Sequence, residues 1–285
     1  MTRSLEVLAT GALTTVQDSG RIGEAALGIG RSGACDRTSY RLANRLVGNR
    51  EDAAVLEVTF GGLHLRADGD LLLATTGARC EGGWPHNAPT VLRSGEELSL
   101  GPPASGLRTY VAVRGGLTVE PVLGSRSTDV MAGLGPPPVS VGDVLGVGGT
   151  GLPALCVDLA PVPDPATGAV TVRVLPGPRR DWFTDAAWAS LTTRDYRVSS
   201  DLDRVGVRLD GEPLERARTD ELPSEGMVRG ALQVPPSGTP VLFLADHPVT
   251  GGYPVIAYVA DPHVDRCAQL RPGQLLTFRE TTPDV

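Results

Sequence analysis

Apolar positions in this chain come in short blocks rather than long periodic stretches. Leu5–Ala9, Val55–Val58, Leu71–Thr75, Thr109–Val113, Val170–Leu175, Val241–Ala245 and Pro254–Val259 are short and rich in Val, Leu or aromatic residues, and each reads as a strand. Turn pairs such as Asp68-Gly69 and Asp210-Gly211 bound most of them. Unbroken runs such as Val241-Leu242-Phe243-Leu244-Ala245 suggest strands buried on both faces. Three segments look helical instead. In the first, Asp36 can cap a helix carrying Tyr40, Ala43, Leu46 and Val47, with Gly48 as its stop. The second follows Pro178 and holds Trp182, Phe183, Ala186 and Leu191. The third opens at Asp261-Pro262, a cap followed by proline at the first helical position, and stops at Pro272-Gly273.

Composition sharpens this into a fold class. The 285 residues include 36 Gly and 24 Pro, and only 21% are charged. Such usage favours many short strands and tight turns over a helical bundle. Length allows one large domain or two smaller ones. Proline, glycine and a charge shift coincide at Leu159–Ala169, which places a boundary there, with one β-rich subdomain over 1–160 and another over 170–285. Gly142-Asp143-Val144-Leu145 and Pro272-Gly273-Gln274-Leu275-Leu276 read alike, each a turn into an apolar strand near the end of a half.

Charge then narrows the chemistry. Net charge is -7, which argues against a sequence-independent grip on nucleic acid. The chain contains no lysine, so every basic side chain among the 26 is arginine. A Schiff-base lysine, a Walker lysine and a biotin- or lipoyl-bearing lysine are thereby excluded on this chain. Its cationic anchors are planar guanidinium groups, suited to carboxylate or phosphate. Cys35, Cys80, Cys156 and Cys267 lie far apart, without the paired spacing of a zinc or redox site. No run approaches 18 apolar residues and the N-terminus has no apolar signal core, so a cytoplasmic protein is expected.

Four clusters could carry chemistry. The first runs from Val16 through Asp18, Gly20 and Arg21 to Asp36; it reads as an anion-binding glycine turn or as a hairpin with a surface Asp–Arg pair, and spacing alone favours the hairpin. The second holds Arg114-Gly115-Gly116 and Ser125-Arg126-Ser127-Thr128, a carboxylate clamp or a turn with solvated arginines. In the third, Glu225 sits on a Pro/Gly-restrained loop and can be a general base or a cap. The fourth, Asp246-His247-Pro248-Val249-Thr250-Gly251-Gly252-Tyr253, follows the most apolar strand. No HExxH, CxxC, EF-hand or GxSxG pattern occurs.

Taken in order, these stretches resemble a known family. They are VQDSGRIGEAALGIGRSGACDRTSYRLANRLVGN (16–49), AVLEVTFGG (54–62), YVAVRGGLTVEPVLGSRST (110–128), LDRVGVRLDG (202–211), ELPSEGMVRGALQVPPSGTPV (221–241), ADHPVTGGYPVIAYV (245–259) and AQLRPGQLLTF (268–278). The family is that of the biotin-dependent carboxyltransferases and the 5-oxoprolinase C subunit, also called KipA-like or allophanate hydrolase subunit 2. The resemblance implies a mainly β fold of two cyclophilin-like, barrel-forming subdomains with a few short helices. It implies an ATP-dependent 5-oxoprolinase that converts 5-oxo-L-proline to L-glutamate together with a KipI-like B subunit and an A subunit. ATP binding is left open between this chain and those partners. In this reading Asp18, Glu225 and Asp246 are catalytic. Arg21, Arg114, Arg126, Thr250, Gly251, Gly252 and Tyr253 bind substrate. No metal is implied. Two alternatives remain: a carboxyltransferase acting on urea or a similar amide with biotin carried elsewhere, and a regulatory subunit that binds a KipI-like protein. The chain departs from the family pattern at Pro248 and Val249, where Gln and Thr are expected, and at Val255, where Lys is frequent.

Overall fold

The computed structural model describes residues 3–149, 151, 154–155 and 157–281, so Cys156 lies outside the described residues. The residues group into two compact units: Met1–Ile22 with Ser32–Pro165, and Gly23–Arg31 with Ala166–Val285.

The first unit contains β1 (Arg3–Thr10), β2 (Leu13–Gln17), β3 (Val55–Thr59), β4 (Leu63–Asp68), β5 (Leu71–Gly77), β6 (Pro89–Leu92), β7 (Glu97–Ser99), β8 (Arg108–Val113) and β9 (Val144–Val147). They form two sheets, ordered β7-β4-β1-β9 and β2-β3-β8-β5-β6. Side-chain alternation explains the assembly. On β4, Leu63, Leu65 and Ala67 point inward and Arg66 and Asp68 outward. They share one core with Leu5 and Val7 of β1 and with Leu56, Val58, Leu73 and Val111 of the five-stranded sheet. Every residue of β8 is buried, because that sheet is covered on its second face as well. The cover is α1 (Arg37–Leu46), which packs Tyr40, Ala43 and Leu46 against Val55, Ala74, Tyr110 and Ala112. Burial of each large apolar side chain there is worth about 1.5–3 kcal/mol. The Asp36 side chain accepts from the Ser39 N–H, as the cap reading expects, and Gly48 follows the helix at φ 69°.

The second unit contains β10 (Val170–Pro176), α2 (Asp185–Thr193), β11 (Asp195–Leu202), β12 (Gly206–Asp210), β13 (Glu225–Gly226), β14 (Ala231–Gln233), β15 (Val241–Phe243), β16 (Thr250–Gly251), β17 (Val255–Val259), α3 (Asp261–Cys267) and β18 (Leu275–Glu280). Seven strands close a barrel in the order β10-β17-β14-β15-β12-β11-β18, and β10 meets β18 in parallel register, Val170 opposite Leu276. Val170, Val172 and Val174 alternate into the interior while Thr171 and Arg173 face out. The fold is therefore mostly β, with three α-helices among the described residues. None of its helices is long and apolar enough to cross a membrane.

Two helical expectations shift. Trp182 and Phe183 are buried but precede α2, which starts only after Thr184 caps it through the Ala187 N–H. Asp261 is the first residue of α3 rather than its cap, which is Ala260.

Candidate functional site

Within the first unit the structure joins the first sequence cluster to the second. The chain leaves β2 at Gln17, and Asp18 turns into a cage of donors. Its Oδ1 accepts from the Gly20 N–H at 2.8 Å and from the Ser125 and Ser127 hydroxyls, each at 2.6 Å. Its Oδ2 accepts from the Arg126 N–H at 2.6 Å. The Asp18 N–H donates back to Ser127 Oγ at 3.0 Å. Four donors on one buried carboxylate leave little capacity for another partner. The geometry is that of a group that positions the 125–127 segment.

Two arginines meet that segment differently. Arg21 is buried, and its Nη2 donates to the Ser127 carbonyl at 2.6 Å. Gly135, at φ 84°, lets the backbone pass beside that guanidinium; a Cβ there would overlap both the Ser127 carbonyl and Arg21 Nη2. Arg126 is half-buried, and its Nε donates to the Val119 carbonyl at 2.6 Å. Its side chain lines a cleft of about 630 Å³, together with Asn49, Asp52, Gly115, Gly116 and Glu120. Arg50, hydrogen-bonded to Asp52, holds that carboxyl below its usual range, and the Arg126 charge adds to the effect. Asn49 anchors the cleft floor: its amide donates to Asn44 Oδ1 and the Val113 carbonyl, and its Oδ1 accepts from the Gly115 N–H. The Arg114 side chain takes a structural partner beside the cleft. Its Nη1 donates to the Val47 carbonyl at 2.8 Å, where a cation complements the C-terminus of α1.

Within the second unit the third and fourth clusters meet. Glu225 pairs with Gly251 and Gly226 with Thr250, so β13 and β16 form a two-residue ribbon. The Met227 N–H to Val249 carbonyl bond extends it at 2.8 Å. Arg179 Nε donates to Glu225 Oε2 at 3.0 Å, and Arg179 Nη2 contacts Oε1. The pairing lowers the Glu225 carboxyl from its ordinary value. A Cβ on Gly251 would stand 2.5 Å from Gln233 Nε2, which donates to the Tyr253 carbonyl at 3.1 Å. Tyr253 is 45% exposed. With Gln233, Phe243, Asp203 and Arg208 it lines a second cleft, of about 530 Å³. Gly252 is exposed between Gly251 and Tyr253.

Asp246 stands apart from that ribbon in its bonding. Arg204 Nε and Nη2 each donate to one of its oxygens at 2.9 Å, with both side chains essentially inaccessible. Its lone pairs are committed to a bidentate ion pair. Of the three carboxylates expected to be catalytic, Glu225 retains the most accessible oxygens, its side chain being 26% exposed.

The carboxyltransferase domain model, subdomain A and B, matches residues 27–280. The chain belongs to this carboxyltransferase family. A relative, the 5-oxoprolinase C subunit of Escherichia coli strain K12, is 36% identical over 282 residues, covering 96% of this chain and 90% of the relative. Among solved structures, TTHA0988 superposes with a TM-score of 0.87 at 38% identity. The match covers 96% of this chain and 55% of that one, so the chain spans about half of that solved protein. The Kluyveromyces lactis urea amidolyase superposes with a TM-score of 0.90 at 31% identity, over 98% of this chain and 19% of that much longer one.

Several residues of this carboxyltransferase domain escaped the sequence reading. Arg204 and Arg179 are the partners of Asp246 and Glu225, whereas Ser125 and Ser127, already named beside Arg126, escaped only as partners of Asp18. Arg204, Ser125 and Ser127 lie inside family-like stretches; Arg179 does not, and nothing in the sequence marks it. The departures also gain a local account. At Val249 the ribbon uses the backbone carbonyl, which a change of side chain preserves. Val255 is 1% exposed and packs with Met227, Ala231 and Phe243, a place where an ammonium would be costly.

Proposed function

We propose that this protein is the C subunit of an ATP-dependent 5-oxoprolinase, acting with the A and B subunits to convert 5-oxo-L-proline to L-glutamate. The observation that carries the reading is the similarity to the Escherichia coli protein along nearly the full length of both chains. The site chemistry is compatible. Opening a lactam needs an anchored carboxylate, donors for the carbonyl oxygen and a directed water. In the first unit Arg126 supplies a cation held at its Nε, and separately, in the second unit, Glu225 is an ionised carboxylate held by Arg179. A lowered pKa weakens Glu225 as a proton acceptor but keeps it ionised to orient water. Asp18 and Asp246 serve as positioning groups.

The first cleft is a poor cradle for a triphosphate at its Gly115-Gly116 turn. The Gly115 and Gly116 amides beside the first cleft are bonded to Asn49 Oδ1 and the Val113 carbonyl, and the chain has no lysine. ATP is therefore assigned in this proposal to the partner subunits. The test is glutamate formation from 5-oxoproline and ATP, for the chain alone and with the A and B subunits. Glutamate should form only in the complete mixture. A mixture shown to assemble but giving no turnover would sink the reading.

A second reading, carboxyl transfer to urea or a similar amide, is favoured by the similarity to urea amidolyase. Biotin would then be carried on another protein or domain. Carboxylated product from carboxybiotin, with no glutamate from 5-oxoproline, would select it.

A further inference from the structure

Resting on the 5-oxoprolinase reading, we propose that the first unit's cleft is a binding site for a small amide-bearing carboxylate, with Arg126 gripping the carboxylate. Arg126 is held at two points. Its N–H is fixed on Asp18, and Asp18 is fixed by two serine hydroxyls and Gly20. Its Nε is fixed on the Val119 carbonyl. An arginine restrained at both the backbone and Nε loses little rotamer freedom when it binds, and its terminal Nη1/Nη2 edge is the fork that matches a carboxylate.

The walls select among anions. The Gly115, Gly116, Leu117 and Thr118 amides around the cleft all donate within the protein, to Asn49 Oδ1 and to the Val113, Ala54 and Gly146 carbonyls. Those four amides are committed and do not form a phosphate cradle, and Arg126 offers the cleft a restrained guanidinium for an anion. Asp52 and Glu120 line the same space. These two carboxylates balance Arg50 and Arg126, so a dianion or a phosphoester gains nothing. A molecule carrying one carboxylate and one N–H donor meets both kinds of group, and 5-oxoproline is such a molecule. At about 630 Å³ the cleft has ample room for it.

The test is a titration of the isolated chain, followed by amide NMR, with 5-oxo-L-proline and with 2-pyrrolidinone, which keeps the lactam and lacks the carboxylate. 5-Oxoproline should bind and shift the Gly115, Gly116 and Thr118 amides, while 2-pyrrolidinone binds at least about 10-fold more weakly. Arg126→Ala should weaken 5-oxoproline about 10- to 100-fold. Arg126→Lys, which keeps the charge without the fork, should fall between and guards against a folding defect. Arg93→Ala, on the exposed surface, should bind normally. Equal binding of the two ligands, unchanged binding by both Arg126 variants, shifts confined to residues 233–253, or no binding at all would each overturn the site. Turnover by the assembled subunits without binding here would leave the oxoprolinase reading intact. Binding here without turnover in that assembly would leave the site and remove the reaction.

Discussion

Asp18 and Asp246 are both buried carboxylates, but they are held by opposite means. Asp18 is surrounded by neutral donors: two hydroxyls and two backbone N–H groups. Asp246 is held by one guanidinium in a bidentate pair. A neutral cage leaves no stranded charge when its centre is removed, and the hydroxyls can turn to other acceptors. An ion pair in an inaccessible place does strand a charge. The two units thus solve the same problem, a carboxylate out of water, with different penalties for failure.

The sharpest way to break that comparison is Asp246→Ala. It removes the bidentate carboxylate that holds the buried Arg204 guanidinium, and urea unfolding should show a loss of about 3–5 kcal/mol. Arg204→Met combined with Asp246→Leu should recover most of that loss; no recovery would mean that the pair also shapes the backbone. Asp18→Ala strands no ion, and its cost should be set by how many of the four cage donors find another acceptor, at about 1.5–3 kcal/mol for each that does not. A cost equal to that of Asp246→Ala would erase the distinction. Smaller again is Glu225→Gln, whose pair with Arg179 is partly solvated and worth about 0–1 kcal/mol. If Glu225 orients water, this variant should still lower turnover of the reconstituted assembly about 100-fold.

The smallest effect is in acid. The Glu225 carboxyl is lowered by Arg179, so the folded state holds its proton less tightly than the unfolded chain does. The stabilisation is fully present above the unfolded value near 4.5 and fades as pH falls through the lower folded value. The stability difference between wild type and Glu225→Gln should therefore shrink toward zero on acidification. A difference that grows below about pH 4 would contradict the assignment.

What was readable in the sequence follows from how local each feature is. Strands with a one- or two-faced apolar pattern, such as Val55–Thr59 and Arg108–Val113, carry their own signal. The cap at Asp36 does too, because it acts over three residues. The ribbon of Glu225–Gly226 with Thr250–Gly251 was illegible: two residues have no period, and glycine hides strand propensity. Val241–Phe243 ends before Leu244 and Ala245, which stay buried but leave the strand as the chain turns toward Asp246. Among the site residues, the carboxylates were nameable because acids stand out in glycine-rich turns. Which partner each would take was not. Arg204 and Asp246 are 42 residues apart, and Ser127 and Asp18 are 109 apart, distances at which only the fold decides who meets whom.

The closure of the second unit bears on how the chain reaches its native state. The seam joins Val170–Val174 to Leu276–Glu280, the first and last strands of the barrel. Parallel pairing across more than a hundred residues carries a large loop-closure cost and folds slowly. During synthesis, β10 must wait with an unpaired edge until β18 emerges, which favours chaperone capture or self-association at that stage. A chain cut before Leu275 should show this as aggregation in vitro, with the first unit's sheets, made wholly upstream, still able to form.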